Sequence, residues 1–364
     1  MTEIPNAIVV NHTARKLRTL PVQLIEAEES VILKRGATAL KIRGAGSAAA
    51  VRDILVAARE GIAREEILLS FAETDRAAVD NLVEQLLARR ILMWIGQEDG
   101  EPDRLESSVD VFFWNFGTHT EAVAKLLDRK HIAIVGVNYI SRRLSSVLVA
   151  TGVSNFKVVD YLGLRNVRLF NSKGALQEDN WNVRAAPLEY REWARTLDAD
   201  PPGCLVVTSD FGGAAAIREW NRHCVEQKWH FLPILLSDLM GYIGPLVIPG
   251  QTACYECLRA RQNSHLEDPA AVRGTEERAF AGQYANGFHP SMASVLGDMA
   301  AMELTKFYSE SLPLARVGIL IEINLMVPSL VRRTILKIPR CTVCSKMNTR
   351  SSSALEASAN MHAG

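Results

Sequence analysis

The chain has no excess of either charge: 41 Lys and Arg balance 41 Asp and Glu across 364 residues. That balance excludes a global field drawing nucleic acid or an anionic membrane to the surface. Residues 1–100 are equally neutral, with 13 basic and 14 acidic side chains. No stretch approaches the roughly 20 apolar residues of a membrane span, and the opening MTEIPNAIVVNHTARKLRTL lacks the apolar core of a signal peptide. A soluble, cytoplasmic protein with no nucleic-acid or membrane partner is the expectation. Catalytic sets are missing too. His12, His119, His131, His223, His230, His265, His289 and His362 are scattered, with no HExxH and no nucleophile elbow. Ser237-Asp238 and His289-Pro290-Ser291 read as loop or helix-cap residues.

Cysteine is sparse, at six residues, yet four of them fall in two Cys-x-x-Cys pairs, Cys254/Cys257 and Cys341/Cys344. In a reducing compartment this spacing points to metal rather than disulfides. A Cys-x-x-Cys turn puts two thiolates within reach of one ion, and two turns complete the tetrahedral shell that zinc prefers. Four thiolates leave no open position for water, so the zinc is expected to be structural. Cys204, in a strand pattern, and Cys224, in a helical one, read as packed, inert thiols.

Two patterns divide the chain. Residues 1–96 read as a small α+β unit. Three short strands, 22–26, 30–34 and 38–43, turn through Glu28, Glu29, Arg35 and Gly36. Three helices follow. Ser47 is placed to cap the first, which buries Val51, Ile54 and Leu55; the second presents Ile67 and Leu68. The third, over about 75–90, carries Val79, Leu82, Val83, Leu86 and Leu87 as a one-sided stripe. Residues 91–95 can return as a strand, giving a winged helix-turn-helix. Residues 97–112 read as a polar linker. From 113 to 347 strands at 131–137, 157–160, 205–208 and 231–236 alternate with helices at about 140–151 and 213–227, which argues for a mostly parallel Rossmann-type α/β sheet. Residues 348–364 are small and polar and read as a disordered tail.

The α/β half resembles ThiF-like, ubiquitin-activating-type adenylating proteins. The carrying features, in order, are a glycine-containing turn at Gly136, Asp160 after the second strand, Asp210 after the third, and the two Cys-x-x-Cys pairs. PGQTACYECLRARQNS (249–264) and IPRCTVC (338–344) look like the ThiF-like subunits that accompany YcaO cyclodehydratases in thiazole/oxazole-modified microcin systems. The first 96 residues look like the peptide-recognition element of such subunits. The resemblance implies a precursor leader peptide and a YcaO-type enzyme as partners, with a homodimer possible.

The departures from that family are informative. Adenylating members place Gly-x-Gly-Gly-x-Gly where this chain has Gly136-Val137-Asn138-Tyr139-Ile140-Ser141. Only the first glycine survives, and Tyr139 stands where phosphate would lie. The family arginine is missing from the matching 167–172 stretch. Gly136, Asp160 and Asp210 are therefore expected to be a degenerate nucleotide site without ATP; an aspartate ending a strand can simply cap the next helix. Arg142 and Arg143 read as a solvated helix face and Lys173 as a surface residue.

The resemblance further implies that a leader adds as a strand along Thr38–Arg43. Lys41 and Arg43 would border that groove, with Thr38 beside them and Arg76, Asn81 and Gln85 on the third helix. A non-catalytic presenting subunit is the leading expectation. An adenylating ThiF-like enzyme is the alternative, and a winged-helix DNA regulator is disfavoured by the neutral first 100 residues.

Overall fold

Alternating apolar residues build the first sheet. A computed structural model describes residues 16–27, 30–36, 38–95, 108–280, 287–309, 311–312 and 317–345. Strands β1 (Lys16–Thr19), β2 (Gln23–Ala27), β3 (Ser30–Arg35) and β4 (Thr38–Arg43) come first. β2, β3 and β4 form an antiparallel sheet in that order, so β4 is an edge. Val31 and Leu33 of β3 point inward with the period of two that strands impose, and both are fully buried.

Against this sheet pack α1 (Ser47–Ala57), α2 (Arg64–Leu69) and α3 (Arg76–Ala88). α1 buries Val51, Ile54 and Leu55, and α3 buries Val79, Val83 and Leu86, as their helical spacing requires. The expected Ser47 cap is corrected: Gly46 occupies the cap position in a left-handed conformation with no side-chain bond, and Ser47 is already helical. The returning strand is β5 (Leu92–Ile95), paired not with the three-stranded sheet but with β1, which periodicity did not reveal.

Of the expected linker, residues 108–112 instead lie in α4 (Ser108–Trp114); the remainder, like the 348–364 tail and the Glu28-Glu29 turn, is outside the described residues. Trp114 Nε1 donates to the Arg90 carbonyl at 2.8 Å, which ties α4 to α3. The chain divides into two compact units at Val123/Ala124, within α5 (Thr120–Asp128).

The second unit is built on β6 (Ile132–Val135), α6 (Tyr139–Ala150), β7 (Phe156–Asp160), α7 (Glu178–Trp181), β8 (Leu188–Glu189), α8 (Tyr190–Ala194), β9 (Cys204–Ser209), α9 (Ala214–Gln227) and β10 (His230–Ser237). There follow β11 (Met240–Ile243), α10 (Tyr255–Asn263), α11 (Pro269–Phe280), α12 (Pro290–Ser309), β12 (Ile319–Asn324) and β13 (Ser329–Thr334). The sheet has eight strands in the order β13-β12-β11-β10-β9-β6-β7-β8. Five are parallel, and β11, β12 and β13 extend it antiparallel, a flank not expected from the sequence.

β6 and β9 are buried along their whole length, as strands covered by helices on both faces must be. The chain runs from β6 outward to β7 and β8, then returns to the other side of β6 as β9. That reversal opens a crevice at the carboxyl ends of β6 and β9, the place where open α/β sheets bind ligands.

Candidate functional sites

At the β6–β9 crevice, the turn into α6 is filled from within. Asn138 caps α6: its Oδ1 accepts from the Ile140 and Ser141 amides, each at 3.1 Å. Its Nδ2 donates to the Thr208 carbonyl and hydroxyl, both at 2.9 Å. The Tyr139 amide donates to Asp210 Oδ2 at 2.9 Å. The three first-turn amides that could face an anion at a helix N-terminus are thus all engaged within the chain.

Gly136 is required there by packing. Its φ is +108°, and a Cβ would stand 2.6 Å from the Thr208 carbonyl oxygen. Arg142 lies over the Tyr139 ring at 4.9 Å and donates to the Asn180 carbonyl at 2.7 Å, so it is not a freely solvated side chain. Arg143 pairs with Asp298 at 2.7 Å. Lys173 is exposed.

The two retained acids also have internal partners. Asp210 is fully buried and accepts from Asn166 Nδ2, 3.0 Å from each oxygen. It caps α6, not the helix that follows it. Burial raises its carboxyl to about 6, against the lowering effect of the bonds from Tyr139 and Asn166. Asp160 is gripped bidentately by Arg165 at 2.9 and 2.6 Å, and that guanidinium rests 4.2 Å from the Phe170 ring centre.

The four paired cysteines come together although 87 residues separate Cys254 from Cys341. Cys254 stands at the N-terminus of α10, whose Tyr255 amide is anchored on Asn221 Oδ1 of α9 at 2.9 Å. The second knuckle is closed by the Cys341 amide donating to the Ile338 carbonyl at 3.0 Å. Sulfur separations are 3.9 Å for Cys254–Cys257, 3.6 Å for Cys254–Cys341 and 3.5 Å for Cys257–Cys344. All four sulfurs lie within 4.8 Å of one another. A tetrahedron with metal–sulfur bonds of about 2.3 Å has edges of about 3.8 Å, so the cluster can hold one metal ion and is compatible with zinc. Cys204 is fully buried and pushed up to about 12 by desolvation, and Cys224 is raised likewise, so both are inert.

In the first unit a groove of about 910 Å³ runs between β4, α1 and α3. Lys41 and Arg43 line it from β4, Asn81 and Gln85 from α3, with Ile42, Phe71 and Leu82 as apolar surface. Lys41 and Arg43 are exposed, while Thr38, Leu40 and Ile42 on the opposite row are half-buried, as a strand's alternation demands. The outer edge of β4 has no strand partner among the described residues. Two expected groove residues are not among its lining: Thr38 bonds Asn115 at 3.3 Å, and Arg76 donates to the Phe71 carbonyl at 3.3 Å. Asp53 and Asp75, which do line it, were not expected; only the packing of α1 beside α3 brings them in.

The fold is mixed α/β with a large sheet, similar to that of MccB. No family model and no curated protein matches the sequence. Among solved structures, E. coli MccB with MccA-N7isoASN has a TM-score of 0.62 at 15% identity, with 91% of this chain and 100% of that chain covered. The microcin C7 biosynthetic enzyme MccB in complex with N-formylated MccA gives 0.61 at 14% identity, with the same coverage. The heterocyclase TruD gives 0.62 at 18% identity over 92% of this chain but 43% of its own. At these identities the likeness is one of fold. Among the described residues no helix is long and apolar enough to cross a membrane.

Proposed function

We propose that this chain binds the leader of a ribosomally made precursor peptide and presents it to a YcaO-type, ATP-dependent cyclodehydratase for azoline formation, without activating nucleotide itself. The observation that carries the reading is the groove along β4, an unpaired edge beside an apolar floor. A leader strand adding there gains main-chain bonds from β4 and side-chain pockets from α1 and α3. Lys41 and Arg43 favour an acidic leader. In this reading residues 1–96 are a winged-helix peptide-recognition element and the four thiolates hold a structural zinc, which would staple α10 to the distant 338–344 knuckle.

The non-catalytic half of the reading is supported by the α6 turn, whose amides are engaged by Asn138 and Asp210. A second reading, an adenylating enzyme acting on a peptide by itself, is favoured by the match to MccB along that chain's full length. Fluorescence polarisation with a labelled acidic leader peptide tests the first. Lys41→Ala with Arg43→Ala is expected to weaken binding about tenfold, two partly screened charges being worth about 1.4 kcal/mol. Unchanged affinity removes the groove assignment. Calorimetry with ATP and magnesium is expected to give no binding heat; pyrophosphate exchange by the isolated chain would establish the second reading instead.

A further inference from the structure

One strand beyond the β6–β9 crevice, at the carboxyl end of β10, the second unit encloses a separate cavity of about 300 Å³. Tyr255, Leu258, Arg259 and Gln262 of α10 line it, spaced i, i+3, i+4 and i+7 and therefore on one helix face. Leu235 of β10 and Val272 of α11 supply further apolar wall. The size suits a small molecule or one to two residues of peptide.

The polar groups in this cavity are unevenly satisfied. Arg259 Nη1 donates to Gln262 at 2.8 Å and Nη2 to Glu276, but its Nε is buried with no partner among the described residues. The Tyr255 side chain, 4% exposed, lines the same wall and offers its hydroxyl as a further donor. A buried donor without an acceptor, as Arg259 Nε is, is costly, and a ligand that supplies an acceptor relieves the cost.

Charge decides which acceptor. Arg259 is already paired with Glu276, and Arg218 beside them is paired bidentately with Glu256 at 2.9 and 2.7 Å. Among the described residues the lining has no surplus cation, so an entering anion would shed its hydration without compensation. A neutral carbonyl meets the same donors with no buried net charge. We infer that this cavity binds a neutral, apolar molecule carrying an amide-type carbonyl, whose oxygen accepts from Arg259 Nε and the Tyr255 hydroxyl while its body packs on Leu235, Leu258 and Val272. The source is either a free small molecule or a residue of a peptide. The inference is independent of the β4 groove, which belongs to the other unit.

Saturation-transfer NMR on the full chain tests it with N-acetyl-L-phenylalaninamide, the corresponding N-acetyl-L-phenylalanine anion, and a neutral capped heptapeptide with an internal phenylalanine. The neutral amide is expected to bind, and the carboxylate to bind at least about fivefold more weakly. Tyr255→Phe, which removes one oxygen and retains the packing, weakens the amide about fivefold, the worth of one hydrogen bond. Val272→Trp fills the space and abolishes the signal. Lys41→Ala with Arg43→Ala leaves it unchanged, which separates this result from that of the leader groove. Tighter binding of the heptapeptide assigns the site to a peptide, and tighter binding of the capped residue assigns it to a small molecule. No transfer to either neutral probe, transfer that survives Val272→Trp, or equal binding of the anion overturns the inference.

Discussion

Replacing Asn138 by alanine removes two functions of one buried side chain. The first is the cap on α6, made through Oδ1 to the Ile140 and Ser141 amides. Caps of this kind are worth about 1 kcal/mol. The second is the Nδ2 donor to the Thr208 carbonyl and hydroxyl, which then stand with one donor fewer in a fully buried position. That loss costs about 1–2 kcal/mol. The sum is about 2–3 kcal/mol, which at a urea slope of about 3 kcal/mol/M moves the unfolding midpoint down by about 0.7–1 M.

Tryptophan fluorescence suits the titration, since Trp181, Trp193, Trp220 and Trp229 lie in the second unit against Trp94 and Trp114 in the first. Asn138→Ser keeps a capping oxygen and loses the donor, so it should show about half the effect. Neither variant should acquire affinity for ATP, because Tyr139 and Asp210 still occupy the turn. A shift below about 0.2 M for the alanine variant, or a serine variant as damaged as the alanine one, would refute the reasoning that this side chain holds the crevice closed.

Three other outcomes follow from the same geometry. With its folded carboxyl at about 6 and its usual value at 3.8, Asp210 keeps a proton in the native state that the unfolded chain has released between those pH values. Stability therefore falls as pH rises from about 4 to about 6, by about 3 kcal/mol from this group, and is level above that; Asp210→Asn should flatten this window in denaturant titrations across pH. Cys341→Ser leaves three thiolates and should lower zinc affinity more than about 100-fold, measured by metal analysis after dialysis against a mild chelator; full retention of metal would reject the four-thiol assignment. Gly136→Ala drives a methyl to 2.6 Å from the Thr208 oxygen at a backbone φ of +108°, so the melting temperature should drop by an amount reflecting more than about 3 kcal/mol, whether or not nucleotide is present.

Much of the local structure was legible because its signals are local. The bounds of β4 and the buried faces of α1 and α3 follow from periods of two and 3.6 residues read directly along the chain. Two of the strands that were missed show why others were not legible. β13 is exposed along its entire length, so it has no buried row to produce alternation, and β1 acquires its identity only by pairing with β5. The Ser47 cap failed because Gly46 takes a left-handed turn that leaves the serine already inside the helix.

The amino-acid sequence alone determined that two Cys-x-x-Cys turns exist, that the glycines of a phosphate-binding turn are absent at 137–141, and that the first 100 residues carry no net field. Each is a statement about residue types at fixed spacing. Only the tertiary structure decided that the four sulfurs meet within 4.8 Å, that Asn138 and Asp210 engage the amides of α6, and that Asp53 and Asp75 join Lys41 and Arg43 around one groove. These depend on contacts between segments tens of residues apart, where the pairing of strands and the docking of helices, rather than any local preference, bring the groups together.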